Sequence, residues 1–149
     1  MSEEIAGVVY PVPSDLLERI FEGKDVFIKH PTCFKELSKG KKVLFYSSHD
    51  VRAIVGEATI KNMEMMKIDE IYKKYGNRVF ITREEARNYS RPLKDRRKGD
   101  SQRDITFLVL ELSDIKRYKN PVKPKRFVTV GGKYITKQEY ESILKESIG

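Results

Sequence analysis

The side chains best suited to binding a polar ligand surround one short turn, residues 47–50. Ser47 and Ser48 supply small hydrogen-bond donors, and Arg52 supplies a planar fork of N–H groups. Glu57 follows in the next apolar run, where its carboxylate can accept hydrogen bonds from the N–H groups of a base. The candidate cleft consists of Lys29, Thr32, Ser47, Ser48, His49, Arg52 and Glu57.

Each of these residues also has a simpler interpretation. Residues 47–50 are typical of a hydrophilic turn, and Glu57 fits an exposed or salt-bridged carboxylate on a strand. Cys33 fits a small buried hydrophobe, because a catalytic thiol needs a base that the sequence does not place beside it. The two histidines, His30 and His49, are too few and too isolated to indicate a metal site. We therefore predict no metal and no cofactor.

A β-hairpin is the element that must position the turn. The apolar runs 43–46 and 53–60 flank it and are rich in β-branched and aromatic residues, which predicts two antiparallel strands. Both faces of the first run are apolar, so we expect that strand to be central. Gly56 interrupts the second run and indicates a bulge or the close approach of another backbone. Such a bend would let a small barrel form, with Lys29 and the turn at its rim.

Capping residues and helical periodicity predict the helices. Ser14 is expected to cap the first helix, and residues 68–75 have the pattern of a short amphipathic helix. Capping boxes that begin at Thr82 and Thr136 predict a helix over 83–89 and a helix at the end of the chain.

Further strands are predicted at 8–12, 26–28 and 105–112. The last of these is the most hydrophobic strand in the sequence, so we expect it to be central. Two prolines break the segment 116–126 into an extended connection. The sequence contains no internal repeat and no linker, and the interpretation is one α+β domain over residues 1–149.

The net charge of +8 is concentrated in two segments. Residues 91–103 carry a local charge of +4 and residues 116–126 a local charge of +6, which leaves −2 for the rest of the chain. A clustered excess is expected of a protein that binds a polyanion, and solvated loops give the same pattern. The candidate contacts are Tyr89, Arg91, Lys94, Arg96, Arg97, Lys98, Arg103, Lys116, Arg117, Lys123, Lys125 and Arg126.

The order of short motifs along the chain resembles the ASCH branch of the PUA-like superfamily, and specifically an archaeal family within it. The motifs are IFEG at 20–23, FIK at 27–29, GKKV at 40–43, IVGEA at 54–58, FITREE at 80–85 and the strand at 105–112. The resemblance implies a PUA-like β pseudo-barrel of five to six mainly antiparallel strands with flanking helices. It also implies a cleft at one end of the barrel of the kind commonly used for RNA or modified nucleotides, and we expect binding there without catalysis.

The same resemblance implies an enzymatic alternative. Some small ASCH-like proteins are amidohydrolases of acylated cytidine that use a lysine, a hydroxyl three residues later and a distant glutamate. Lys29 and Thr32 have that spacing, and Glu57 is the candidate for the third member. Lys29 would then activate the Thr32 hydroxyl, and Glu57 would carry the proton.

A protein-interaction module is the third class of function left open. The methionines at 63, 65 and 66 could form an adaptable contact surface, but at their spacing core packing is the better explanation. The longest apolar runs are too short for a membrane span, and the first residues are acidic, so we expect neither a span nor a secretory signal. A single cysteine excludes an internal disulfide and favours the cytoplasm.

Overall fold

A six-stranded sheet with helices on both faces forms the protein. The computed structural model describes residues 4–32, 34–48, 51–86, 106–124, 128 and 131–148. The strands are β1 Ile5–Val12, β2 Val26–Lys29, β3 Lys42–Ser47, β4 Ile54–Lys67, β5 Thr106–Val122 and β6 Lys133–Thr136. The helices are α1 Ser14–Phe21, α2 Ile68–Tyr75 and α3 Lys137–Ile148, with a short 3₁₀ turn at Gly76–Arg78 and four more helical residues at 83–86.

The strands follow the order β2-β5-β4-β3-β1-β6 across the sheet. Neighbours are antiparallel except for β1 and β3, which are parallel. The predicted α+β class, with six mainly antiparallel strands and flanking helices, is confirmed. Strands β3 and β5 are both central, as their apolar patterns predicted. Within the described residues the sheet is open and does not close into the barrel that the bend at Gly56 suggested; β2 and β6 lie at its edges.

The two faces of the sheet carry separate apolar cores, because successive side chains of a strand point to opposite faces. Val43 and Phe45 of β3 belong to a large core that also contains residues of α1 and α2. Leu44 belongs to a small core on the other face, against which Tyr140 and other residues of α3 pack. The same alternation in β1 buries both faces of that strand. The site residues therefore divide according to the core that they face.

Gly56 has both features that its position predicted. The pairing of β4 with β5 shifts register between Ile54 and Gly56, which marks a bulge. A Cβ at Gly56 would lie 2.4 Å from the carbonyl oxygen of Lys116 and 2.7 Å from the ring of Phe21. Only glycine therefore permits β5 and α1 to approach this part of β4 so closely.

The caps agree with expectation except at the first helix. Thr82 with Glu85, and Thr136 with Glu139, exchange the two hydrogen bonds of a capping box. The Ser14 prediction was wrong, because Pro13 holds the N-cap position and the Ser14 hydroxyl bonds to Ser47 instead. Of the predicted helix over 83–89, residues 83–86 are helical and the rest lies outside the described residues.

Strands β5 and β6 hold two further differences from expectation. The segment 116–122 was predicted to be a connection, but it is the second half of β5 and pairs with the start of β4. Pro121 is accommodated there because β2 pairs with β5 only at residues 108–111 and leaves the other edge of this half without a strand among the described residues. Strand β6 was not predicted, since four residues give too short a pattern.

Candidate ligand site

Lys29 and Thr32 form a polar cluster with the backbone of Gly131. Lys29 is the last residue of β2, and only 5% of its surface is exposed. Its ammonium group donates to Thr32 Oγ1 at 2.8 Å and to the Gly131 carbonyl oxygen at 3.2 Å. The Thr32 hydroxyl donates to the same carbonyl oxygen at 2.8 Å. Two donors, three residues apart, thus converge on one acceptor.

Tyr10 and Gly132 complete the walls of this cluster. The Lys29 ammonium lies 4.1 Å from the centre of the Tyr10 ring, a cation–π distance. The Tyr10 hydroxyl donates to the backbone carbonyl of Thr32 at 3.2 Å. Gly132 has a φ of +99°, and a Cβ there would lie 2.5 Å from the Tyr10 ring. The cluster therefore belongs to the large-core face, where Tyr10 stacks on Phe27 of β2.

The residues of the hairpin turn have more local roles. The Ser47 hydroxyl is buried and lies 2.6 Å from the Ser14 hydroxyl, which ties the turn to the start of α1. The backbone N–H of Ser48 donates to the Val12 carbonyl at 3.3 Å. Arg52 is exposed, with a φ of +53°. His49 lies outside the described residues.

Glu57 is held on the opposite face of the sheet. Only 1% of its surface is exposed, and its carboxylate accepts hydrogen bonds from Tyr118 at 2.8 Å and from Tyr140 at 2.7 Å. Lys42 approaches it at 3.6 Å. Burial, followed by the negative charge and hydrogen bond of Glu57, raises the pKa of Tyr118 above its ordinary value. The structure therefore does not bring Glu57 to Lys29 and Thr32. Of the two simpler interpretations, Glu57 is the salt-bridged carboxylate and not the exposed one.

The described residues include the second basic segment as far as residue 124, but none of the first basic segment. Lys116, Lys119 and Lys123 are exposed on or just beyond β5, whereas Arg117 forms a bidentate ion pair with Glu18 at 2.8 Å. The Arg117 guanidinium also lies 4.4 Å from the Phe21 ring. The predicted contacts that lie outside the described residues are Tyr89, Arg91, Lys94, Arg96, Arg97, Lys98, Arg103, Lys125 and Arg126.

A cavity of about 200 Å³ lies between α3 and the small-core face of the sheet. Its walls are mainly aliphatic, and Lys123 and Lys133 stand among the lining residues with Glu139 and Glu146. The cavity is on the face opposite Lys29, so it is separate from the cluster with Gly131.

Sequence reasoning missed the residues that complete both polar clusters. The pair Gly131-Gly132 is a recognisable turn signal, but nothing in its spacing indicates contact with Lys29, which is 102 residues away. Tyr118 and Tyr140 carry no signal that would pair them with Glu57. Among the described residues, no group of three or more His, Cys, Asp or Glu side chains could hold a metal ion.

The helices of the structure bear on whether the chain could cross a membrane. No helix in the described part of the chain combines the length and the apolar character that a membrane crossing requires.

Comparisons with known proteins identify relatives of the sequence and of the fold. A model of the family described as "Domain of unknown function (DUF365)" matches residues 5–137. "Uncharacterized protein MJECS03" from Methanocaldococcus jannaschii is 36% identical over 106 residues, which cover 70% of this chain and 98% of that protein. The crystal structure of ASCH from Zymomonas mobilis has a TM-score of 0.75 at 13% identity, and 94% of each chain is covered. A single-residue mutant of that protein gives a TM-score of 0.74, over 97% of this chain and 98% of the mutant.

Proposed function

We propose that this chain, which belongs to the DUF365 family and has the fold of an ASCH domain, binds RNA or a nucleotide-containing ligand without catalysing a reaction. The ASCH fold and an archaeal relative agree with the resemblance found in the sequence. At 13% identity the likeness shows the fold alone. The argument for the ligand therefore depends on the charges and donors of this chain.

The observation that carries the proposal is a group of exposed lysines in the second half of β5 and just beyond it. Lys116, Lys119 and Lys123 take part in none of the ion pairs formed among the described residues. Nearby Arg117 is neutralised by Glu18, and the pairing lowers the pKa of that carboxyl. Lys116 and Lys119 lie on the strand itself and Lys123 directly follows it, so the strand fixes the backbone positions from which these cations can meet phosphates.

The Lys29–Thr32 cluster supports the second half of the proposal. Contacts with phosphates alone carry no information about the identity of a base, whereas convergent hydrogen-bond donors beside an aromatic ring can select a particular base. Lys29 and Thr32 supply the donors, and Tyr10 supplies the ring. We therefore assign contact with the RNA backbone to the β5 lysines and recognition of a ligand group to the cluster.

Edge protection is the competing explanation of the lysines. Beyond β2, the second half of β5 has an edge that no described strand covers, and lysine and proline discourage another chain from pairing there. The two explanations differ in their dependence on salt. Edge protection needs no anion, whereas RNA binding releases counterions and weakens linearly with the logarithm of salt concentration.

The experiment measures the affinity for single-stranded RNA between low and physiological salt. Replacing Lys116, Lys119 and Lys123 together with glutamine is expected to reduce the slope by about 0.7 for each phosphate that the variant no longer neutralises. A control variant with glutamine at Lys39, Lys73 and Lys145, which are also exposed, has the same net charge and is expected to keep most of the slope. A slope near zero in the unmodified protein, or equal reductions in both variants, would refute RNA binding through β5.

A second candidate function has one observation in its favour. The 2.8 Å distance between Lys29 Nζ and Thr32 Oγ1 is short enough for a base to act on a hydroxyl nucleophile, as an amidohydrolase of acylated cytidine requires. For that step Lys29 must first lose the proton that it donates here, and the Thr32 hydroxyl must turn from the Gly131 carbonyl toward the amine. Glu57 would not be the proton carrier, because it is buried on the other face. Incubation with cytidine acetylated on its exocyclic nitrogen tests the idea. Turnover that disappears in Thr32→Val and persists in Thr32→Ser supports it, and no turnover refutes it.

A further inference from the structure

The Gly131 carbonyl oxygen occupies the position where the Lys29 and Thr32 donors meet. We propose that the Gly131-Gly132 turn is an internal plug of the ligand site, and that an acceptor oxygen of the ligand displaces it. The inference rests on the proposed function for its ligand but not for the plug itself. It concerns how the site is closed and which chemical group opens it.

Burial explains why a plug is needed. An ammonium group removed from water must keep its hydrogen bonds, and only 5% of the Lys29 surface is exposed. The Gly131 carbonyl and the Thr32 hydroxyl accept two of them, while the Tyr10 ring covers the cation. A ligand oxygen at the Gly131 position would restore the same hydrogen bonds, so the exchange leaves their number unchanged.

The direction of the hydrogen bonds defines the class of ligand. Both Lys29 and Thr32 donate to the Gly131 oxygen, so the group that replaces it must accept. A keto oxygen of a base or an oxygen of a phosphate meets this condition. An exocyclic amino group does not, because it would set donor against donor at both Lys29 and Thr32.

The two glycines differ in how firmly the closed turn requires them. Gly132 has a positive φ of +99°, and its Cβ would overlap the Tyr10 ring at 2.5 Å. A Cβ on Gly131 would lie 3.6 Å from Thr32, an ordinary van der Waals contact. Gly132→Ala is therefore expected to destabilise the closed turn, whereas Gly131→Ala is expected to leave it in place. The chain thus offers its own matched control.

The plug can be tested without any ligand by measuring how fast Lys29 reacts with an N-hydroxysuccinimide acetate, followed by mass spectrometry of peptides. Gly132→Ala is expected to raise the rate at Lys29 about tenfold, since a non-glycine residue at positive φ shifts the equilibrium by about that factor. Gly131→Ala is expected to react like the unmodified protein. The exposed Lys73 serves as an internal reference, and thermal melts report whether each variant stays folded.

A second pair of variants avoids the strain of Gly132→Ala. Thr32→Val removes one of the two donors that hold the Gly131 oxygen and is expected to expose Lys29, whereas Thr32→Ser keeps that donor and is expected to protect it. Faster labelling in both Gly132→Ala and Thr32→Val supports the plug. Equal labelling in all four variants, or in all of them as fast as at Lys73, overturns it.

The ligand assignment is tested by protection of Lys29 in Gly132→Ala. Uridine carries keto oxygens without phosphate, and inorganic phosphate carries the phosphoryl oxygen without a base. Protection by uridine identifies a keto group, and protection by phosphate identifies a phosphoryl group. If neither protects while RNA still binds with a steep salt slope, the ligand assignment is wrong and the proposed function survives. If the plug opens in the variants but RNA binds none of them, the proposed function fails and the plug stands.

Discussion

Removing the Tyr118 hydroxyl is the sharpest test of the polar cluster on the small-core face. This hydroxyl donates at 2.8 Å to Glu57, a carboxylate of which 1% is exposed, and Tyr118 itself is 8% exposed. Water cannot take the place of the missing donor without opening the core. A hydrogen bond to a buried charged group contributes about 1.5–3 kcal/mol. We therefore expect Tyr118→Phe to reduce the free energy of unfolding by about 2 kcal/mol, or roughly 6–8 °C in Tm for a chain of this size.

Two further tyrosines serve as references for that measurement. Tyr140 donates to the other Glu57 oxygen at 2.7 Å but is only partly buried, so water can replace its hydroxyl and the expected cost falls to about 1 kcal/mol. Tyr134 accepts a backbone N–H from Glu36 at an exposed position, and its replacement by phenylalanine should cost about 0.5 kcal/mol or less. The order of the three costs is the prediction that depends on the structure.

Urea unfolding of the three single variants and of the double variant at Tyr118 and Tyr140 measures these costs. Because both hydroxyls bond to one carboxylate, the double variant is expected to depart from additivity by more than about 0.5 kcal/mol.

The dependence of stability on pH supplies a second test of the same hydroxyls. Burial raises the pKa of both tyrosines, so above about pH 10 only the unfolded chain ionises them and stability falls with rising pH. Tyr118→Phe should flatten that fall. A Tyr118→Phe cost no larger than that of Tyr134→Phe would refute the reasoning.

The remaining predictions concern one backbone contact and one ion pair. Gly56→Ala should reduce the free energy of unfolding by about 2–4 kcal/mol, because the new Cβ would overlap the Lys116 carbonyl; a smaller reduction in urea unfolding would show that the bulge can relax. Hydrogen bonds from Arg19 lower the pKa of Glu85 to about 2, so the stability this pairing adds above pH 4.5 should disappear as the pH falls toward 2. Acid titration of Glu85→Gln should lack that decline, whereas the exposed neighbour Glu84→Gln should keep it.

Local patterns predicted the elements whose own residues determine them. The hairpin of β3 and β4, the capping boxes and the helix at 68–75 follow from periodicity and from side chains a few positions apart. The second half of β5 was misjudged because Pro121, with Pro124 just beyond the strand and the lysines around them, is typical of a connection. What makes it a strand is the start of β4, which lies about sixty residues away and supplies the ladder of hydrogen bonds.

The candidate site was predictable only in part, for a related reason. Lys29 and Thr32 stand close enough in the chain for their spacing to suggest contact, and that contact is present. Their partner Gly131 is brought by the turn before β6, and no short pattern encodes that meeting. Glu57 was misplaced because alternation assigns a strand residue to one of two faces without saying which face holds the ligand. Hydrogen bonds from Tyr118 and Tyr140 hold Glu57 on the small-core face.

The pairing of β1 with β6 governs when the fold can be completed during synthesis. Val9 pairs with Lys133 and Ile5 with Thr136, so one edge of β1 has no partner until β6 has been synthesised. Until residues 133–136 leave the ribosome, β1 can be held on one side by β3, while its other edge shows apolar side chains and unpaired amides to the cell. Such an edge invites pairing with a neighbouring nascent chain. The sheet is therefore vulnerable to aggregation in the interval between the synthesis of β3 and that of β6.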